Sequence, residues 1–256
     1  MAGRPRGDEA FRRPPFQAPH HSASSAALLG AVHGSRVAPG AVTLAHRGVL
    51  FLDEAPEFSR PALEGLRQPM ESGRIWLSRS GWAGRLPAAF QLALAANPCP
   101  CGLRVGRGAA CSCPPQAVRR YAARLSGPLV DRIDIRVVLV RPPEAELDRG
   151  DLEECSDDVR GRVTEARARA SARFSGQPWQ VNAQVPAGEM RRRWAPDPEG
   201  ADLLRQLERG SANLRGPDRV LRVAWTLADL RGGDRPGRDD VGRAIGLRGA
   251  AAQWSA

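Results

Sequence analysis

The chain of 256 residues has room for one large domain or two small ones, and at 42% apolar residues it can bury a core, which excludes wholesale disorder. Its 38 basic residues against 28 acidic ones leave a net charge of +10, and every basic residue is arginine. With no lysine among these residues, Schiff-base chemistry, lysine nucleophiles and a lysine-dependent phosphate loop are excluded from them. The basic surplus itself has two readings, a nucleic-acid-binding protein or the arginine-rich composition of a GC-rich genome. No apolar run approaches the ~20 residues of a membrane span. Met1–Pro15 is basic without an apolar stretch, which reads as a flexible tail and not a secretory signal, so a cytoplasmic protein is expected.

In chain order, Ser22 is placed to cap a helix over Ala23–Val32. Val49-Leu50-Phe51-Leu52 is a short apolar run that reads as a buried strand ending in Asp53-Glu54. Ser59 and Pro61 then open a helix whose Leu63, Leu66 and Met70 share one face. Residues 75–78 and 85–90 flank Gly81 and Gly84 as a hairpin, and Gln91–Ala96 and Ile133–Val140 are two further apolar runs expected as strands. Short buried strands alternating with helices predict a parallel α/β core. After Arg141-Pro142-Pro143 only helical patterns remain. Ser156 heads one with Val159, Val163, Ala166, Ala170 and Phe174 in a stripe, Leu203, Leu204 and Leu207 mark another, Pro217 opens a third and Asp239–Leu247 forms a fourth. The expected division is a basic tail over 1–15, an α/β part over 16–145 and a helical part over 146–256.

Gly48 to Glu54 has the form of a Walker B strand. At the carboxyl end of such a strand an Asp can hold Mg²⁺ through its water shell and the next Glu can activate the attacking water. The alternative is a core strand entering an acidic loop. Asn97 ends the next apolar run, where an amide can orient a hydrolytic water, although Asn97-Pro98 also reads as a turn. Arg132 is either a finger that neutralises transition-state charge in a neighbouring subunit or a solvated arginine. Cys99, Cys101, Cys111 and Cys113 form Cys-x-Cys-x9-Cys-x-Cys, a set of four thiolates suited to tetrahedral Zn²⁺, with an iron–sulfur cluster as the chemical alternative. Cys155 lies apart and reads as incidental. His20 and His21 have no acidic partner at ligand spacing, so they read as loop histidines making hydrogen bonds. Arg74, Trp76, Arg79, Trp82 and Arg85 decorate the hairpin, a pattern that suits single-stranded nucleic acid through phosphate attraction and base stacking, or a solvated hairpin with packed tryptophans.

Taken together and in this order, Phe16-Gln17-Ala18-Pro19-His20-His21, residues 44–54, Asn97-Pro98-Cys99-Pro100-Cys101-Gly102 and residues 125–134 resemble the ComM/YifB group of magnesium-chelatase-like AAA+ ATPases. Residues 215–230 resemble the group's lid helix. The resemblance implies an incomplete P-loop (AAA+) parallel-sheet core followed by a helical lid, with the Walker A loop and a Lon-like domain expected upstream of the residues given. It implies Asp53 and Glu54 as the Walker B pair, Asn97 as sensor 1, Arg132 as the arginine finger and Arg215 as sensor 2, with ATP and Mg²⁺ as ligands. It further implies a hexameric ring of copies of the chain, with the hairpin toward its pore, and work on branched or single-stranded DNA in natural transformation. The chain departs from the group's pattern at Ala212-Asn213-Leu214 and at Trp225, where an arginine is usual. Besides the DNA motor, two other functions are open: a non-catalytic remnant or ring-modulating subunit, and a metal-chelatase motor subunit.

Overall fold

The computed structural model describes residues 13–34, 36–79, 82–104, 110–139, 154–210 and 215–249, with only the backbone described at Arg79 and Trp82. The chain divides between Ile133 and Asp134 into a sheet-containing unit and a helical unit. The expected boundary near residue 145 lies outside the described residues, as does most of the basic tail.

The first unit runs β1 (Phe16–Gln17), α1 (Ser25–Leu29), the strand pair β2 (Gly30–His33) and β3 (Arg36–Pro39), α2 (Ala41–Leu44) and β4 (Val49–Leu52). After a 3₁₀ turn at Ala55–Glu57 come α3 (Arg60–Gly65), α4 (Arg67–Ser72), β5 (Arg74–Arg79), β6 (Trp82–Pro87), β7 (Gln91–Leu94), α5 (Pro115–Ala122) and α6 (Gly127–Val130). β4 lies between β1 and β7, parallel to both, in the register Phe16↔Val49 and Leu52↔Leu94. Alternate residues of a central strand point to opposite faces, and on one face of β4 Leu50 and Leu52 are fully buried while Val49 and Phe51 on the other are half-buried. Leu50 and Leu52 pack with Leu28, Val42, Phe58, Leu63, Leu66 and Leu129 in one core. Gly48 is required beside this sheet, because a Cβ there would run into the backbone of Pro15, whose carbonyl accepts the Val49 N–H at 2.8 Å.

The expected start of α3 holds: Ser59 Oγ accepts the Ala62 N–H at 3.4 Å, with Pro61 in the first turn. α4 ends at Gly73, which takes φ 65°, a left-handed conformation that glycine adopts without steric cost. Two expectations change. The helix over Ala23–Val32 shrinks to α1, because Ser24, not Ser22, caps it through the Ala27 N–H at 3.1 Å. Gly30 at φ 103° then turns the chain into β2, which pairs antiparallel with β3. The run Ile133–Val140 forms no strand over its described part: Ile135, Val137, Val138 and Leu139 are exposed. An apolar run becomes a strand only when a neighbour supplies the hydrogen-bond ladder, and no described strand pairs with it.

The second unit is helical, as expected: α7 (Ser156–Arg173), a 3₁₀ turn at Asn182–Gln184, α8 (Ala187–Arg193), α9 (Pro198–Arg209), α10 (Arg215–Arg231) and α11 (Arg238–Gly249). On α7 the stripe is only half used, since Ala166, Ala170 and Phe174 are buried while Val159 and Val163 stay exposed. The core gathers Phe174, Val185, Met190, Leu204, Val220, Leu221, Trp225 and Val241. Across it the Arg173 guanidinium makes two hydrogen bonds to the Asp229 carboxylate, at 2.6 and 2.7 Å, and lies 4.1 Å from the Trp225 ring centroid. Asn182 donates to the same carboxylate at 3.1 Å. A charge pair this deep persists because both carboxylate oxygens and both terminal guanidinium nitrogens are matched, which leaves only the buried Arg173 Nε without a hydrogen bond.

Candidate functional site

Parallel strands bring their carboxyl ends to one edge, and there the first unit collects its chemical groups. The exits of β4 and β7 are tied together: Leu52 O accepts the Ala95 N–H at 3.0 Å, and Ala95 O accepts the Ala55 N–H at 2.9 Å. Asp53-Glu54 and Ala96-Asn97 therefore emerge side by side, with Asp53, Glu54 and Asn97 all exposed. Glu54 sits at φ 50°, an unusual left-handed conformation for a residue with a side chain. The Asp53 carboxylate helps hold it, accepting the Glu54 N–H at 2.9 Å. Strained backbone of this kind persists where the surroundings demand a particular side-chain direction.

β1 leaves the sheet at the same edge and carries the two histidines with it. His20 Nδ1 lies 2.8 Å from Ser22 Oγ, the loop hydrogen bond expected of it. His21 differs from expectation. Its Nδ1 is 2.8 Å from Glu54 Oε2, an acidic partner supplied by another strand and invisible to local spacing. Tyr121 was also missed. It is buried on α5, and burial, then the nearby Glu57 carboxylate, push its phenol above the ordinary pKa. The one sequence signal for it is the Val118/Tyr121 spacing on α5, which marks the buried face of that helix.

The other site residues are placed as follows. Arg132 is 9% exposed, donates to Pro128 O and pairs with Glu71 inside its own unit. Arg215 is the first residue of α10, in the second unit, where residues 211–214 before it lie outside the description. Trp225 fills a core position and donates its indole N–H to Trp194 O at 2.7 Å. In the hairpin, Arg74, Trp76 and Arg85 point outward, opposite the buried Ile75 and the half-buried Leu77 and Leu86. Trp76 is paired across the strands with Arg85, whose guanidinium lies 5.8 Å from the ring centroid. Arg79 and Trp82 face each other at the tip as register partners, with side chains outside the description.

Immediately after Asn97 the four clustered cysteines come together. Their sulfurs all lie within 4.8 Å of one another, with Cys99–Cys101 at 3.4 Å, Cys99–Cys111 at 3.6 Å and Cys101–Cys111 at 3.8 Å. Four sulfurs around one Zn²⁺ at ~2.3 Å stand about 3.8 Å apart, so the set fits a single tetrahedral ion better than a cluster of several irons. The Leu103 backbone N–H, then Cys99 and Cys113, pull the Cys101 thiol down to about 6. Cys101 in turn is the main cause that pushes Cys113 up to about 11. Four neighbouring thiols resist ionising together, and a dication removes that conflict. Cys155 stands apart, with its sulfur 3.1 Å from Asp158 Oδ2.

The fold and site define a class: a parallel α/β core of P-loop-like design, with an acid pair and an amide at its carboxyl edge, followed by a helical domain. Comparison with known proteins agrees. The magnesium chelatase subunit ChlI family matches residues 1–147, and the ChlI C-terminal family matches residues 153–248. The chain belongs to the magnesium chelatase family, in its ComM/YifB-like branch. It is 48% identical over 243 residues to an uncharacterized protein of Mycobacterium tuberculosis, covering 94% of this chain and 47% of that protein. It is 39% identical over 240 residues to the competence protein ComM of Haemophilus influenzae and, equally, to YifB of Escherichia coli, covering 93% of this chain and 46% of each. The chain thus spans about half the length of the curated relatives it matches. Among the described residues no helix is long and apolar enough to cross a membrane.

Proposed function

We propose that these residues supply the hydrolytic edge and the lid of an ATP-driven motor that remodels DNA, working in the cytoplasm as a hexameric ring of copies of the chain. The observation that carries this is the meeting of His21, Asp53-Glu54 and Asn97 at one edge of three parallel strands. In the proposed reaction Asp53 holds the water shell of Mg²⁺, Glu54 takes the proton of the attacking water, and Asn97 orients that water toward the γ-phosphate. Arg215 contributes charge from the lid. Arg132 acts on a neighbouring subunit's nucleotide once its pairing with Glu71 opens. The four cysteines hold Zn²⁺ and brace the loop that follows Asn97. Outward Trp76 and Arg85, with Arg74, Arg79 and Trp82, contact single-stranded or branched DNA.

Asp53, Glu54 and Asn97 reach a nucleotide from one side only. Most of the grip on a triphosphate comes from a glycine-rich loop, its lysine and its Ser/Thr, and these residues contain no lysine. The 256 residues taken alone are therefore expected neither to bind Mg-ATP tightly nor to hydrolyse it. Joined to a partner segment carrying a Gly-Lys-Ser/Thr loop, they should turn over ATP, and Glu54→Gln should stop turnover while sparing binding. Micromolar Mg-ATP affinity of the 256 residues alone, measured by calorimetry, refutes the division of labour. A completed protein that binds ATP but never hydrolyses it favours the second reading, a non-catalytic ring-modulating subunit, with which the inward pairing of Arg132 agrees.

A further inference from the structure

The first unit has a hollow of about 520 Å³ that none of these roles uses. It opens between the segment Glu57–Arg60 and the C-terminal end of α5. The buried ring of Phe58 and the side chain of Ala123 give it an apolar lining, and Arg60, Arg120 and Arg124 face a single carboxylate, Glu57. Arg124 is fixed in place, donating to Pro56 O at 3.0 Å and pairing with Glu57 at 2.8 Å. That pair consumes the only acidic group in the lining.

Arg60 and Arg120 are exposed, and neither guanidinium closes a side-chain hydrogen bond or ion pair among the described residues, although the Arg60 charge reaches the Glu64 carboxylate one turn along α3. In a chain so rich in arginine, the informative question is which guanidinium groups are already engaged. Arg67, Arg132, Arg173, Arg191, Arg219 and Arg231 each meet a carboxylate within their own unit. Two arginines that close no ion pair, on the rim of a concave surface whose own carboxylate is held by Arg124, make a local positive field there. A guanidinium presents planar forked N–H donors that match phosphate oxygens two at a time. The hollow has room for a nucleotide unit, with phosphate against the arginines and the sugar against Ala123 and the aliphatic stems of the arginines. A rigid duplex is too broad to enter it, whereas a flexible single strand can.

We infer that this hollow is a phosphate-binding site that takes one phosphodiester of a single-stranded nucleic acid, gripped by Arg60 and Arg120 beside the anchored Arg124. The site requires neither nucleotide hydrolysis nor the β5–β6 hairpin. It is tested on the 256-residue chain by fluorescence anisotropy with a short labelled oligothymidylate, using Arg60→Ala with Arg120→Ala, and separately Arg74→Ala with Arg85→Ala. Each single-strand phosphate contact adds about 0.7 to the slope of log affinity against log salt, so loss of two lowers it by about 1.4. Raising salt from about 50 to about 200 mM should then weaken the unaltered chain roughly sevenfold more than the Arg60/Arg120 variant. On the unaltered chain, the oligonucleotide should also shield Arg60 and Arg120 from phenylglyoxal, read by mass spectrometry, which keeps the test independent of the variants' folding. An unchanged salt slope with no shielding overturns the site, as does failure of the chain to bind the oligonucleotide at all. Equal shielding by inorganic phosphate at the same concentration overturns the nucleic-acid assignment and leaves a site for free phosphate.

Discussion

Chelation of the cysteine cluster is the sharpest perturbation available, because its geometry sets the numbers in advance. The three close sulfur–sulfur separations of 3.4, 3.6 and 3.8 Å are edges of a tetrahedron. They correspond to a central ion about 2.1–2.3 Å from each sulfur, the range of zinc–thiolate bonds. Structural zinc sites in small peptides bind with roughly 10–16 kcal/mol of apparent free energy, equivalent to dissociation constants from about 50 nM to about 2 pM. Dialysis should therefore leave the ion in place, and only a strong chelator should remove it. Elemental analysis of protein purified without added metal should find about one zinc per chain, and X-ray absorption should show sulfur neighbours alone within that range. Removing the ion should speed tryptic cleavage after Arg104, which lies in the loop between the two cysteine pairs. Cys99→Ser should do the same, since Cys99 is fully buried and a hydroxyl there replaces a thiolate ligand. Less than about a tenth of an equivalent of metal, with all four thiols reacting rapidly, would refute the reasoning.

Three other outcomes are expected. Asp229→Ala should cost about 3–5 kcal/mol in urea denaturation by stranding the buried Arg173 charge, whereas Arg173→Met with Asp229→Leu should recover most of it; a cost below about 1 kcal/mol for the single change removes the pair from the account. His46 accepts the Ala89 N–H at 3.1 Å, and burial, then the Arg47 charge, lower its pKa from 6.5. The folded state thus favours neutral His46, and its contribution is complete above the unfolded value and drains as pH falls through the folded one. Thermal melts between about pH 7 and pH 5 should show a shallower acid-side decline in His46→Gln, and an equal decline in both proteins counts against this. Single-stranded DNA should quench Trp76 fluorescence with a salt slope of about −2 if Arg74, Arg79 and Arg85 each neutralise a phosphate, and quenching indifferent to salt argues against the hairpin.

Much of the local structure was legible because its causes are local. Ser59 and Pro61 announce α3, Gly73 ends α4, and the four apolar residues of β4 mark a strand of the sheet core. The cysteine spacing pointed to a metal through chemistry alone. In the second unit the apolar stripes led to the helices, although α8, with its run of three arginines, carries too little pattern to be seen. α5 was missed for a related reason: its buried face is only Val118 and Tyr121, two residues on a helix of eight.

Where the chain meets itself at a distance, only the tertiary structure could decide. Ile133 to Leu139 has the composition of a strand, yet a strand is a property of two segments, and no described strand pairs with this one. Arg132 carries the same charge whether it projects or folds inward, and it turns inward because Glu71 and Pro128 O lie within reach. His21 gains an acidic partner only because β1 and β4 run parallel and release their carboxyl ends side by side. By itself the sequence determined which segments could be helix or strand and which residues had the chemistry for hydrolysis, metal or phosphate. Their pairing was left to the fold, because hydrogen bonds and ion pairs are settled by which remote group arrives within about 3 Å, and periodicity along the chain holds no record of that distance.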